Sequence, residues 1–252
     1  MLSNLFLQRI SLNPERSPAH WDAFPFSLPV VRSLHKEPLR IEAPVTVFVG
    51  ENGSGKSTLL EAVAVALGFN AEGGSRDMRF ATRSTHTALH EVLRLSRGIR
   101  RPRGGFFLRA ESLYNVASEI ERLDEEPGGR GLLGAYGGRS LHKQSHGEAF
   151  LALLEHRFAP EGLYLLDEPE AALSPQRQLA ALSRIHDLVR EGSQFLIATH
   201  SPILMAYPGA TLLQLDVDGI RPVAYEDTEH FRVMHDFLAN PKRMLRVLLD
   251  RD

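Results

Sequence analysis

Apolar runs rich in β-branched residues alternate along the chain with segments of helical period. Leu39-Arg-Ile-Glu-Ala-Pro-Val-Thr-Val-Phe-Val49 predicts a strand leading into a glycine turn, and Leu59 to Leu67 predicts the helix after it, the first half of a βαβ unit. Leu163-Tyr-Leu-Leu166 and Gln194-Phe-Leu-Ile-Ala198 predict short buried strands. Between them, Gln176 to Val189 sets Leu179, Leu182, Ile185, Leu188 and Val189 near the 3.6-residue period of a helix. Strands without polar alternation imply a sheet covered on both faces, so the expected class is α/β, a mainly parallel sheet flanked by helices. Thr211 to Leu215 and Ile220 to Tyr225 flank Asp216-Val-Asp-Gly219 and predict a hairpin. Phe231 to Leu249 predicts helix except at Asn240-Pro241, within a C-terminal helical extension from about 226 to 252.

The middle of the chain is less regular. Arg94 to Arg103 holds five arginines and no acid, Glu111 to Leu123 has the pattern of an amphipathic helix, and Pro127 to Gly138 holds six glycines. Residues from about 78 to 144 are expected to form a helical lobe inserted in one domain spanning 1–252, ending in a glycine-rich loop.

Composition narrows the chemistry. The 252 residues carry 29 Lys plus Arg against 31 Asp plus Glu, a net charge of −2, so a polyanion would have to be met by a local patch. Zero cysteine excludes disulfides, thiolate zinc sites, iron–sulfur clusters and cysteine nucleophiles. The N-terminal apolar run is too short for a signal peptide, which makes cytoplasm the expected location. Gly192 to Leu215 has no Asp, Glu, Lys or Arg, but His200-Ser-Pro202 and Pro208-Gly209 interrupt it, so strand, turn and loop are expected there and no membrane insertion.

Four short motifs carry candidate chemistry. Gly50-Glu51-Asn52-Gly53-Ser54-Gly55-Lys56-Ser57, followed by Thr58, matches G-x-x-x-x-G-K-[ST] between a predicted strand and a predicted helix. In such a loop backbone amides converge on phosphates, Lys56 neutralises the β and γ oxygens and Ser57 can ligate Mg²⁺. Gly162-Leu-Tyr-Leu-Leu-Asp167-Glu168-Pro169 ends an apolar strand in two carboxylates, with Asp167 the candidate Mg²⁺ holder and Glu168 the candidate base that polarises a water. Ala198-Thr-His200-Ser-Pro202 follows the next strand and sets an imidazole where it can contact a γ-phosphate or the attacking water; the alternative is a hydrogen-bonded core histidine. Ser145-His-Gly147-Glu148 satisfies the capping-box pattern before an apolar run, and a capped helix start with a free glycine backbone is also an anion site.

In this order the four motifs resemble those of ATP-binding-cassette (ABC) ATPases, a branch of the P-loop NTPases, over Val45 to about Tyr207. Within that superfamily the chain looks like small stand-alone ATPases labelled "AAA family", near the chromosome-maintenance and break-repair branch. The stretches Asp167-Glu-Pro-Glu-Ala-Ala-Leu-Ser-Pro175 and Ala198-Thr-His-Ser-Pro-Ile-Leu-Met-Ala206 are similar to theirs. The resemblance implies ATP and Mg²⁺ as ligands, hydrolysis of ATP, and a homodimer in the ATP-bound state. Two subunits would pack head to tail, each nucleotide lying between one P-loop and the partner's Ser145 and Gly147.

The chain departs from transporter cassettes in two places and from the chromosome-maintenance proteins, which carry a long coiled-coil arm, in a third. No Gln occurs between Thr58 and Lys143, where those cassettes carry a loop glutamine, and Thr82 to Thr85 is the candidate replacement. Ser174 stands where they usually have Asp, and only 88 positions separate Ser57 from Ser145, too few for a long coiled-coil arm. Trp21, Phe24 and Phe26 are candidates for adenine stacking or for the core. His86 with His90, and His142 with His146, have i,i+4 spacing without a third ligand nearby, so solvated or capping roles are expected. Three outputs remain open: action on nucleic acid in repair or defence through Arg94 to Arg103 and the nearby Arg109, service as the nucleotide-binding subunit of a transporter, or regulation of a protein partner.

Overall fold

The computed structural model describes residues 4–16, 18, 20–76, 88–125, 134 and 140–249. Five strands lie parallel: β3 (Val45–Val49), β5 (Gly104–Arg109), β6 (Gly162–Asp167), β7 (Gln194–Ala198) and β8 (Thr211–Asp216). Their order is β5-β6-β7-β3-β8, and β9 (Gly219–Pro222) pairs antiparallel with β8 as the expected hairpin. A smaller antiparallel sheet joins β2 (Leu39–Arg40), β1 (Leu7–Leu12) and β4 (Leu93–Arg97).

The two-sided burial inferred from the apolar strands is realised by alternation. Val45, Val47, Tyr164, Leu166, Phe195 and Ile197 face one core, while Phe48, Leu163, Leu165 and Leu196 face another. Side chains from α4 (Leu113–Glu125), α5 (His146–Ala152) and α6 (Pro175–Arg190) fill the first core. Those from α1 (Pro29–Lys36), α2 (Lys56–Ala66), α3 (Leu89–Val92) and the small sheet fill the second. Each fully buried Leu, Val or Phe contributes about 1.5–3 kcal/mol relative to exposure. The central strands are therefore held from both sides, which fixes the positions of their ends.

Three expectations are corrected. The predicted strand Leu39 to Val49 is split in two, because Pro44 has no N–H to continue a ladder. The region about 78–144 is not uniformly helical, since it contains β4 and β5, and its described helix after them is α4 with a 3₁₀ turn at Leu141–Lys143. Leu93-Arg-Leu-Ser-Arg97 alternates as a strand against β1, and Gly105 lets β5 approach its neighbours: a Cβ there would lie 2.5 Å from the Leu163 carbonyl and 2.8 Å from the Phe69 ring. The arginine-rich segment, expected within the helical lobe, is thus part strand. Pro127 to Gly138, apart from Gly134, and the candidate stretch Thr82 to Thr85 lie outside the described residues.

The C-terminal extension comprises α8 (Glu229–Ala239) and α9 (Pro241–Leu249), with Pro241 opening α9, where its missing N–H costs nothing. No described residue of either helix is fully buried. Between β7 and β8 the short α7 (Pro202–Met205) accounts for the interrupted apolar segment, and among the described residues no helix is long and apolar enough to cross a membrane.

Candidate functional site

The carboxyl ends of β3, β6 and β7 lie side by side, the position where open α/β sheets bind ligands. The Gly50 to Gly55 loop runs from β3 into α2. Gly50 has φ 147°, and a Cβ there would lie 2.3 Å from the Leu215 carbonyl, so the turn requires glycine. Lys56 opens α2 and is only 3% exposed. Its Nζ donates to the carbonyls of Gly50 at 2.8 Å and Glu51 at 3.0 Å, which curls the loop around the ammonium. Burial lowers the Lys56 pKa, opposed by the charges of Glu168, Asp167 and Glu170. Glu51, Asn52 and Gly53 are exposed, and with Ser54 they border a cavity of about 520 Å³ closed on the far side by Gln214, Asp216 and Arg221.

Asp167 ends β6 in register with Ala198 of β7 and Arg109 of β5. Burial pushes its carboxyl up to about 6, against the hydrogen bond from Ser57 and the charge of Arg109. The contact joins Ser57 of the P-loop helix to the second motif. Asp167 Oδ1 is buried without a hydrogen-bond partner. Arg109, grouped in sequence with the arginine cluster, belongs here instead: it bonds Glu61 of α2 at 2.6 Å and its Nε lies 3.5 Å from Asp167 Oδ2.

Glu168 has φ 49° and ψ 50°, a left-handed conformation that costs a non-glycine residue roughly 1–2 kcal/mol. Its N–H donates to the Ala198 carbonyl at 2.9 Å, and Pro169 follows it into a 3₁₀ turn. The sharp turn carries the carboxylate out of the sheet, and it reaches 3.6 Å from His200 Nε2. Glu170, which the motif analysis did not single out, ties the two strand ends together. Its carboxylate accepts from the Thr199 hydroxyl at 2.7 Å and the His200 N–H at 2.5 Å. Burial raises the Glu170 pKa against these two bonds. The one sequence signal for it was its place two residues after Glu168.

His200 also contacts a residue that the motifs gave no reason to choose. Its Nδ1 lies 2.9 Å from Nε2 of His230, on the first turn of α8. The pKa of each histidine is lowered, chiefly by burial.

Ser145 and Gly147 form the expected helix start. The Ser145 hydroxyl accepts from the Glu148 N–H at 3.4 Å, and the Glu148 carboxylate accepts from the Ser145 N–H at 2.9 Å, a complete capping box. Arg177 of α6 donates to the Ser145 hydroxyl at 3.2 Å. A Cβ on Gly147 would lie 2.7 Å from the Ala172 carbonyl and 2.5 Å from the Arg177 guanidinium, so glycine is required by close approach. The Ser145 side chain bonds Glu148 and Arg177, and among the described residues nothing joins it to the P-loop of its own subunit.

Other candidates do not assemble. Arg100 and Arg103 both pair with Glu161 at the amino-terminal end of β5 and β6, opposite the P-loop end. Trp21 packs on His35 with ring centroids 4.6 Å apart, Phe26 packs against the second core, and Phe24 is exposed. His142 lies 3.1 Å from the Ser118 hydroxyl, and no group of three or more metal-binding side chains exists among the described residues. His86 lies outside them.

The raised Asp167 pKa predicts a stability effect. Folding favours the protonated carboxyl, so this stabilisation is full below about pH 4 and is lost as pH rises through about 6. Asn mimics the protonated form. Asp167→Asn is expected to raise the thermal midpoint of the nucleotide-free protein at pH 8 by about 3 °C or more, at roughly 2–4 °C per kcal/mol for a chain of this size. Thermal melts of both proteins check it, and a lower midpoint for the variant contradicts it.

Family models match two parts of the chain: "AAA domain" over residues 30–106, and "AAA domain, putative AbiEii toxin, Type IV TA system" over residues 142–206. No curated protein matches the sequence. Among solved structures, the SMC head domain from Thermotoga maritima is similar at 18% identity, over 87% of this chain and 100% of that one, with a TM-score of 0.43. The cbiO1 protein from Clostridium perfringens, part of the ABC transporter complex cbiONQ, is similar at 16% identity, over 97% and 99%, with a TM-score of 0.49. The first family match contains the P-loop and the second contains Ser145, Asp167, Glu168 and His200. In these two parts the chain is similar to AAA domains, and the structure sets the P-loop, Asp167, Glu168 and His200 together on the carboxyl edge of one parallel sheet.

Proposed function

We propose that the protein binds ATP with Mg²⁺ at the Gly50 to Thr58 loop, hydrolyses it, and cycles between monomer and an ATP-closed head-to-tail homodimer. The observation that carries hydrolysis is the strained Glu168: its backbone conformation places the carboxylate beside His200 and beyond the buried Asp167. Strain of this kind persists where the surrounding structure enforces it, and such positions cluster at functional sites.

The donor set suits a phosphate-bound Mg²⁺, since a hydroxyl and a carboxylate are its usual protein ligands and Asp167 Oδ1 has no protein partner. Ser57 and Asp167 would hold the ion, which when bound neutralises charge on the β- and γ-phosphates. Lys56 and the amides of Gly53, Ser54 and Gly55 would hold the phosphates. Glu168 accepts the proton of the attacking water, and His200 directs its Nε2 toward the γ-phosphate. Arg109 offsets the buried negative charge of Glu61 and Asp167.

Ser145 and Gly147 complete the partner's site. The support is that Ser145, exposed at the start of α5, bonds Glu148 and Arg177 rather than the P-loop of its own subunit. The output of the cycle on nucleic acid, a transporter or a protein partner is a second level of the reading. Arg100 and Arg103 share Glu161 in exposed ion pairs, so part of the charge of the arginine cluster is offset within the chain. Mass measurement by light scattering tests the dimer: protein carrying Glu168→Gln should double in mass with ATP and Mg²⁺, and the same protein carrying Ser145→Arg should not. Failure of the first to dimerise at saturating ATP contradicts the head-to-tail model.

A further inference from the structure

The imidazole of His200 has two nitrogens, and the proposed reaction uses one. Nδ1 faces Nε2 of His230 at 2.9 Å, with ring centroids 5.0 Å apart. A hydrogen bond between two neutral imidazoles needs an N–H on one and a lone pair on the other. The carboxylate of Glu168, 3.6 Å from His200 Nε2, decides the direction. It is an acceptor only, so a lone pair on Nε2 would face it unfavourably while an N–H there is attracted. His200 then carries its proton on Nε2, accepts at Nδ1, and receives the Nε2–H of His230. The remaining nitrogen of His230, Nδ1, is left as a lone pair, and it is buried without a hydrogen-bond partner, where an unmatched N–H would be the more costly arrangement.

The donor is held in place by the start of its helix. Thr228 is fully buried and caps α8, accepting from the Phe231 N–H at 3.3 Å and donating to the Tyr225 carbonyl at 2.7 Å. Both histidines border a cavity of about 290 Å³ that they share with Glu51 of the P-loop, so the pair faces the nucleotide side of the sheet.

We propose that His230 is a positioning residue for hydrolysis: from α8 it fixes His200 as the Nε2–H tautomer and aims that N–H at the γ-phosphate, so the C-terminal helix becomes part of the hydrolytic apparatus. The proposal rests on the role given to His200 above. Its consequence is that displacement of α8 lowers turnover without loosening the hold of the P-loop on the nucleotide.

Single-turnover hydrolysis and fluorescent ATP binding should be measured on wild type, His200→Ala, His230→Leu, His230→Gln and the double variant His200→Ala with His230→Leu. His230→Leu should lower the hydrolysis rate about tenfold, the size of effect that loss of an orienting partner has on a ligating histidine, with the dissociation constant within twofold. The Gln amide can donate near the position of Nε2, so His230→Gln should recover most of the rate. In the His200→Ala background, His230→Leu should change nothing further. If His230→Leu is poorly folded by circular dichroism, His230→Asn, which stays polar but is too short to reach His200, takes its place with the same expectation. Wild-type hydrolysis in His200→Ala would overturn the role of His200 and this proposal together. A slowed His200→Ala with an unaffected His230 variant, or additive losses in the double variant, would overturn this proposal alone.

Discussion

Glu168→Gln is expected to lower the rate of ATP hydrolysis by about 10²–10⁴-fold, the range that a positioned general base supplies, while nucleotide affinity changes little. The amide fills the same volume and keeps the backbone turn, whose N–H bonds the Ala198 carbonyl, but it accepts a proton from water poorly. The change also removes a negative charge 3.6 Å from His200 Nε2 and one of the charges that hold up the pKa of Lys56. Loss of the negative charge favours phosphate binding while a lower Lys56 pKa opposes it, so the two effects offset and slower chemistry with retained binding is the signature. Rapid-quench hydrolysis and equilibrium binding on one preparation separate the two quantities. A loss of affinity that matches the loss of rate contradicts the base assignment.

Lys56→Ala should act on binding instead. The ammonium is nearly buried and already held by two P-loop carbonyls, so it needs no rearrangement to meet phosphate oxygens. Hydrogen bonds to charged groups are worth about 1.5–3 kcal/mol each, and loss of two predicts ATP affinity weaker by about 100-fold or more. The fold should survive, because Lys56 stands at the first position of α2, where Ala is an excellent helix former, and a buried charge is removed. Calorimetric titration with ATP and a thermal melt check both halves. Wild-type affinity in the folded variant contradicts the phosphate site.

Much of this site was legible in the sequence because each motif is local. A glycine turn between an apolar strand and a helix, and carboxylates or a histidine after an apolar run, are read within about ten residues, and parallel pairing of β3, β6 and β7 then brings the ends together. The unread parts depend on distant contacts. His230 lies on an ordinary amphipathic helix, and only the packing of α8 makes it a partner of His200. Arg109 was grouped with the arginines before it, yet the register of β5 with β6 carries it to Asp167. In β4 the alternation of Leu93, Arg94, Leu95 and Ser96 was present, but the charge of the segment outweighed the strand pattern. The strand β5 was not read from the sequence, and its Gly105 is explained only by the fold, where the Phe69 ring and the Leu163 backbone leave room for nothing larger.

The central claim is that the P-loop and the Asp167–Glu168 strand end form one ATP-hydrolysing site. Its most direct test is single-turnover phosphate release, with purified protein in excess over radiolabelled ATP, in the presence and absence of Mg²⁺. Phosphate release that requires Mg²⁺ and is lost in both Lys56→Ala and Glu168→Gln is the predicted result; no release by the wild type, or equal release by wild type and either variant, contradicts the claim.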